Sequence, residues 1–149
     1  MGNFMNDQEI INKAIDILVG RLTVATDYIT SAESAKKFLT LKLAEQQREV
    51  FAVLFLNQRH GLIEYNEMFF GTINGATIYP REVAKRALEV NAAAVILAHN
   101  HPSGNPVASS QDVDITRKIE KALMLFDIDV LDHIIVGAIT YSMRENGVL

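Results

Sequence analysis

The sequence predicts an α/β fold in a single domain, in which helices flank a mixed β-sheet. Apolar residues near the amino terminus recur at helical spacing, residues 49–56 are rich in β-favouring side chains, and residues 92–98 form a continuous run of small apolar residues. A run of the last kind is typical of a strand that is buried on both faces. The length of 149 residues is that of one domain.

Two helices are expected at the start of the chain. Asp7 precedes the apolar positions of the first helix, and Gly20 is expected to end it. Thr30 and Glu33 stand three residues apart, which is the signature of a capping box at the start of a second helix. That helix should run to about residue 43 or 46.

Strands and helices alternate through the rest of the chain. Residues 49–56 and 62–70 should pair as a hairpin because turn-forming residues separate them, and the chain should stay extended through Ile78. Pro80 suits the first turn of a helix over residues 81–90, which Asn91 should end. The elements predicted after it are a strand over 92–98, a helix over 112–126 and strands over 128–136 and 138–143.

The composition narrows the classes of function. Acidic residues outnumber basic ones by 18 to 14, and no block of basic residues indicates a surface for nucleic acid, which is therefore not an expected partner of this chain alone. Because the chain has no cysteine, a metal site must use histidine and carboxylate ligands. Neither a secretory signal nor a membrane span is evident in the sequence, so the cytoplasm is the expected compartment.

Two histidines and an aspartate frame the loop that follows the strand predicted over residues 92–98. Side chains two residues apart on an extended chain point the same way, so His99 and His101 can converge, and the next helix can bring Asp112 back to them. Such a set of ligands suits catalytic zinc. The spacing alone leaves a second interpretation open, in which the histidines are polar residues at a strand end and Asp112 caps the helix.

The residues after His101 extend this pattern. His99, His101, Pro102, Ser109 and Asp112 match His-x-His-Pro, six residues, Ser, two residues, Asp in both type and spacing. In this the chain resembles the JAB1/MPN metalloproteases, whose signature is the JAMM motif. It is most similar to their bacterial RadC-like group, and the segments that carry this similarity are residues 79–83, 92–104 and 131–137.

The resemblance implies a JAB1/MPN-like fold, which is also like that of the cytidine deaminases, and a site in which His99, His101 and Asp112 bind Zn²⁺. It also implies that a glutamate on an earlier strand is the general base. Glu67 is the expected base, because it precedes a Gly-Thr pair as the family's glutamate does. Glu64 is the alternative and should lie on the opposite face of the strand.

Three further residues near this motif have alternative interpretations. Ser109 would donate a hydrogen bond to an oxyanion, or else it caps the helix that contains Asp112. His133 is a partner of a metal ligand or a structural residue of its strand. Asp114 is a less favoured ligand than Asp112, because it lies two residues beyond the motif spacing.

The function implied by the resemblance is that of a peptidase or isopeptidase acting on a protein or peptide of unknown identity. The alternatives are a DNA-associated accessory or repair protein, a metal-dependent nuclease, and a non-catalytic MPN-like interaction module. Longer RadC-like proteins carry an amino-terminal helix-hairpin-helix region of the kind that binds DNA. Only about 30 residues precede residue 31 in this sequence, so the DNA-associated role is the weaker expectation for this short form. The expected organisation is a helix and connector over residues 1–30 and a RadC-like domain over 31–149, with no indication of oligomeric state.

Overall fold

A computed structural model of the chain describes residues 4–24, 32–71 and 77–149. These residues form four helices and five strands. In chain order the elements are α1 (Asp7–Val24), α2 (Ala32–Leu43), β1 (Val50–Leu56), β2 (Leu62–Phe70), α3 (Pro80–Glu89), β3 (Ala94–Asn100), α4 (Ser110–Met124), β4 (Asp129–Val136) and β5 (Thr140–Ser142).

The strands form one mixed sheet in the order β2-β1-β3-β4-β5. β3 and β4 run parallel and are joined through α4, because parallel neighbours require a crossover connection. The other neighbouring strands are antiparallel. Every residue of β1 and of β3 is buried, which confirms the prediction that the small apolar run is a strand covered on both faces.

Helices cover both faces of the sheet and enclose two apolar clusters. Successive side chains of β1 alternate between them: Ala52 and Leu54 pack with α2, whereas Phe51 and Val53 pack with α3 and α4. We call these the α2 face and the α4 face of the sheet. This arrangement confirms the predicted α/β class, a mixed sheet flanked by helices.

The first helix is longer than predicted. Gly20 lies inside α1, which continues to Val24, and does not end the helix. A glycine ends a helix when its backbone becomes left-handed, and Gly20 is not among the glycines with a positive φ. Within a helix a glycine costs only about 1 kcal/mol relative to alanine, so the helix continues through it.

The extended segment predicted through Ile78 forms no strand in residues 77–79. Its other part, residues 72–76, lies outside the described residues. The same holds for Thr30, for the connector after α1 and for the predicted boundary between residues 30 and 31.

The boundaries of three other elements matter for the site. α3 begins with Pro80 in its first turn, and Asn91 follows its end with a φ of 58°, as the sequence predicts. β3 begins and ends two residues later than expected, so that His99 belongs to the strand itself. α4 begins at Ser110, before the expected start at Asp112.

None of the helices formed by the described residues has both the length and the apolar character needed to cross a lipid bilayer.

Candidate metal centre

Three elements meet at the carboxyl end of β3. His99 pairs with Phe51 of β1 and lies on the α4 face, where the two rings stack with centroids 6.2 Å apart. His101 follows the strand directly, and its backbone N–H donates to the carbonyl oxygen of Val136 at 2.9 Å. Asp112 lies in the first turn of α4. The parallel β3-α4-β4 unit thus brings the amino end of a helix to the strand end that carries both histidines.

Two glycines shape the loop that follows His101. Gly104 has a φ of 84°, a left-handed conformation that glycine adopts readily, and its N–H donates to the carbonyl oxygen of His101 at 2.8 Å. Gly137 passes so close to this loop that a Cβ atom there would lie 2.8 Å from the carbonyl oxygen of Gly104. The loop is therefore held tightly against the turn between β4 and β5.

The three predicted ligands are brought together by these elements. Nε2 of His99 lies 2.8 Å from Nε2 of His101. One carboxylate oxygen of Asp112 lies 3.2 Å from Nε2 of His99, and the other lies 3.3 Å from Nε2 of His101. The side chains of His99 and Asp112 are largely buried, with exposed fractions of 2% and 14%. Two ring nitrogens and a carboxylate thus converge on one small volume.

The hydrogen bonds of His101 show what this volume favours. Its Nδ1–H donates to the carbonyl oxygen of Asn105 at 2.6 Å, because a carbonyl oxygen can only accept. In neutral His101, Nε2 therefore carries a lone pair that points toward His99 and Asp112. The hydrogen bond with Asp112 raises the pKa of His101 above its ordinary value. The lone pairs of these nitrogen atoms and the carboxylate of Asp112 therefore favour a positive charge between them, either a proton or a metal ion.

The carboxylate of Asp112 interacts with both histidines and also caps the start of α4. Burial alone would raise the pKa of its carboxyl group, but the interactions with His101 and His99, which are attractive when those rings carry a proton, outweigh this effect and hold the pKa well below its usual range. One oxygen also accepts from the backbone N–H of Ser109 at 2.8 Å, while Ser109 Oγ accepts from the N–H of Asp112 at 3.1 Å. This is a capping box, in which Ser109 is the N-cap of α4. The carboxylate is thereby held in place at the start of the helix.

Glu49 also belongs to this group, although no feature of the sequence indicates it. Oxygen and nitrogen donor atoms of Glu49, His99 and His101 all lie within 4.8 Å of one another. Because Phe51 pairs with His99 in antiparallel register, the residue two positions before Phe51 comes opposite His101. The pairing of β1 with β3 could have revealed Glu49, but the sequence does not show which strands are neighbours.

Glu67 is not brought to the histidines. It pairs with Ala52 on the α2 face, and it accepts a hydrogen bond from the hydroxyl of Tyr65 at 3.1 Å. The expectation that Glu67 shares a strand face with Phe69 is wrong, because a bulge between them shifts the register by one residue. Phe69 instead pairs with Phe51 and lies on the α4 face.

Glu64 lies on the α4 face but is engaged elsewhere. It pairs with Phe55, near the opposite end of β1 from the site, and accepts hydrogen bonds from Arg86 at 2.8 and 2.5 Å. These hydrogen bonds with Arg86 lower the pKa of its carboxyl group. The prediction that Glu64 and Glu67 lie on opposite faces therefore agrees with the structure, although neither is placed at the metal centre.

Two other candidate residues flank this cluster. Asp114 is exposed on α4, whereas Asp112 is not. His133 is fully buried on β4, and its Nε2 lies 2.7 Å from Nδ1 of His99. Burial, followed by electrostatic repulsion that His99 exerts on a charged ring here, lowers the pKa of His133 well below its ordinary value. His133 therefore stays neutral beside the cluster.

Comparisons with known proteins agree with this architecture. A family model described as "RadC-like JAB domain" matches residues 29–148. A "UPF0758 protein" of Vibrio cholerae serotype O1 is 48% identical over 141 residues, which cover 95% of this chain and 89% of that protein. A relative of the same description from Marinomonas sp. is 53% identical over 120 residues, which cover 80% of this chain and 54% of that protein. These descriptions state no substrate or reaction.

Proposed function

Because the chain belongs to the RadC-like JAB domain family, we propose that it is a zinc-dependent hydrolase of JAMM type that cleaves a peptide or isopeptide bond. The proposed substrate is a protein or peptide. The observation that carries this proposal is the convergence of His99, His101 and Asp112 on one volume, with their donor atoms 2.8 to 3.3 Å apart.

The donor set fits zinc. Two imidazole nitrogens and one carboxylate are a usual set of protein ligands for catalytic zinc, and they leave a fourth position open. The arrangement of lone pairs also fits, because in neutral His101 the one ring proton is on Nδ1 and donates to Asn105, which leaves a lone pair on Nε2. When bound here, zinc would acidify a water molecule to a pKa of about 7 and polarise the carbonyl that the water attacks.

Glu49 is the general base that this geometry favours. Asp112 contacts both Nε2 atoms directly, whereas the donor atoms of the group that includes Glu49 spread over up to 4.8 Å, which leaves space for a water molecule. The Glu49 carboxylate would accept a proton from that water and return it to the nitrogen of the leaving amine. This assignment replaces Glu67, which lies on the other face of the sheet.

The hydroxyl of Ser109 can donate a hydrogen bond in addition to its capping role. Its Oγ accepts from the backbone N–H of Asp112, and this leaves the hydroxyl proton free of that bond. We assign that proton to the oxyanion that forms when the carbonyl is attacked. The capping box would hold the hydroxyl in position for it.

The test is hydrolysis of a proteome-derived library of peptides and isopeptides by the zinc-loaded protein. Glu49→Gln should lower turnover by about 10²-fold or more while zinc content is kept, which is the usual scale for loss of a general base. Glu67→Gln is the matched control, because glutamine keeps an oxygen that accepts from Tyr65. It should cleave at the rate of the parent.

Two results would contradict the proposal. Loss of activity in Glu67→Gln but not in Glu49→Gln would return the role of base to the residue expected from the sequence. A zinc-loaded parent that cleaves no member of the library would instead favour a non-catalytic interaction module.

A further inference from the structure

We propose that His133 and Thr116 are positioning residues, which hold His99 in the tautomer whose Nε2 is free to bind a metal. The inference rests on the proposed metal centre and adds to it the residues that prepare one ligand. Both residues are buried, with exposed fractions of 0% and 1%.

A continuous chain of hydrogen bonds joins these residues to two ligands. Nδ1 of His99 lies 2.7 Å from Nε2 of His133. Nδ1 of His133 lies 2.5 Å from Oγ1 of Thr116, and this hydroxyl lies 2.6 Å from the backbone carbonyl oxygen of Asp112. The chain therefore runs from β3 through β4 to the first turn of α4.

The direction of each hydrogen bond follows from the last acceptor. The carbonyl oxygen of Asp112 can only accept, so the hydroxyl of Thr116 donates its one proton to it. Thr116 Oγ1 must then accept from His133, whose Nδ1 carries the proton. Because a neutral imidazole has one N–H, Nε2 of His133 is an acceptor, and Nδ1–H of His99 donates to it.

The consequence for His99 is a fixed tautomer. With its proton on Nδ1, Nε2 carries the lone pair, and this is the atom that faces His101 and Asp112. An exposed histidine exchanges freely between its two tautomers, whereas the Asp112 carbonyl fixes this one through two side chains. The same chain ties a ligand on the sheet to the backbone of a ligand on a helix, so it also fixes their relative position.

Removing the hydroxyl of Thr116 should allow the hydrogen bond between His133 and His99 to reverse its direction. In Thr116→Val the N–H of His133 would face a methyl group, so the proton is better placed on Nε2, where it can donate to Nδ1 of His99. His99 would then carry its own proton on Nε2, the atom needed by the metal. Thr116→Ser keeps the hydroxyl and should keep the parent arrangement.

The experiment measures the tautomer and the metal affinity separately. Side-chain ¹⁵N NMR of the metal-free protein at about pH 8, above the ordinary pKa of a histidine, should show His99 protonated at Nδ1 in the parent and in Thr116→Ser. In Thr116→Val the protonated signal should move to Nε2. Zinc affinity, measured by competition with a chelator, should fall by about 10- to 100-fold in Thr116→Val and recover in Thr116→Ser.

Melting temperatures of the three proteins show whether each is folded. His133→Gln is a second test of the hydrogen-bond chain, because the glutamine amide can accept from Nδ1–H of His99 and donate to Oγ1 of Thr116, and so should keep the tautomer of the parent. His99 protonated at Nε2 in the parent would overturn the inference. So would a Thr116→Val protein that is folded and has the tautomer and zinc affinity of the parent. A parent without affinity for zinc would contradict the proposed function instead, since the tautomer is read without metal.

Discussion

At the scale of single residues, the site depends on the competition between a proton and a metal ion for the same lone pairs. Asp112 raises the pKa of His101, so without metal the ring holds a proton to a higher pH than usual. A group whose pKa is raised by folding stabilises the fold at low pH, and this contribution disappears as the pH rises through the folded pKa. Zinc needs the neutral ring, so its binding changes with pH in the opposite direction.

We therefore predict that the rise in melting temperature produced by zinc grows between about pH 6 and pH 8. The stabilisation of the metal-free protein by the His101–Asp112 pair should change in the opposite direction and be lost as the pH rises through the raised pKa of His101. Thermal unfolding with zinc and with a chelator, at several pH values, measures both effects. In the control His101→Gln, which lacks the imidazole, the contribution of His101 to both pH-dependent effects should vanish. A zinc-induced shift that shrinks as the pH rises would contradict the assignment of His101 as a ligand.

The motif predicted that His99, His101 and Asp112 lie close together, because the spacing within one strand, one loop and one helical turn is local information, and the structure shows that they do. The motif did not predict that Glu49 lies beside them. That residue is 50 positions before His99 in the sequence, and only the register of β1 on β3 brings it to the site.

At the scale of elements, the loop after His101 owes its position to contact with the turn between β4 and β5. Gly137 allows this contact, because a Cβ atom there would meet the carbonyl oxygen of Gly104 at 2.8 Å. Backbone atoms cannot rotate out of the way as a flexible side chain can, so the loop itself would have to shift. Since His101 Nδ1 is held by Asn105 of the same loop, that shift would reach the metal centre.

We predict that Gly137→Ala destabilises the fold by about 1–3 kcal/mol, the usual cost of overpacking, and weakens zinc binding. Gly20→Ala is the control, because Gly20 lies within α1 and a Cβ atom there meets nothing within 4 Å. That change should be neutral or stabilising by up to about 1 kcal/mol. Denaturant unfolding and zinc titration check both variants. The proposed role of the contact fails if Gly137→Ala unfolds and binds zinc like the parent.

The elements themselves were largely predictable, because the periodicity of apolar residues reflects which faces are buried. The bulge in β2 was not. The composition of the strand does not show that one residue between Glu67 and Phe69 is left unpaired. That unpaired residue shifts the register and moves Glu67 to the other face of the sheet. For that reason simple alternation predicted the wrong strand face for Glu67.

At the scale of the whole molecule, the fold class follows from the order of helices and strands, whereas the order of strands in the sheet does not. The sequence order places β1 and β2 before β3, but β1 lies between β2 and β3 in the sheet. Its position beside β3 allows β1 to support His99 through Phe51, and it brings Glu49, the residue before β1, close to His99.

The overall charge of −4 bears on the alternative role with DNA. Binding to duplex DNA depends mainly on basic groups that displace counterions, so we predict that this chain alone binds duplex DNA only weakly at about 150 mM salt. Fluorescence anisotropy with a labelled duplex over a range of salt concentrations measures it. A submicromolar dissociation constant with a steep salt dependence would favour the DNA-associated function over the peptidase.

We propose that β3, the loop after it and α4 together build a zinc site. Elemental analysis of the purified protein and its variants measures whether zinc is bound there. We predict about one zinc ion per chain in the parent and in Asp114→Ala, and loss of zinc in His99→Ala, His101→Ala and Asp112→Ala, with folding checked by circular dichroism. A parent that binds no zinc would contradict the proposed site, and so would an Asp112→Ala protein that keeps zinc while Asp114→Ala loses it.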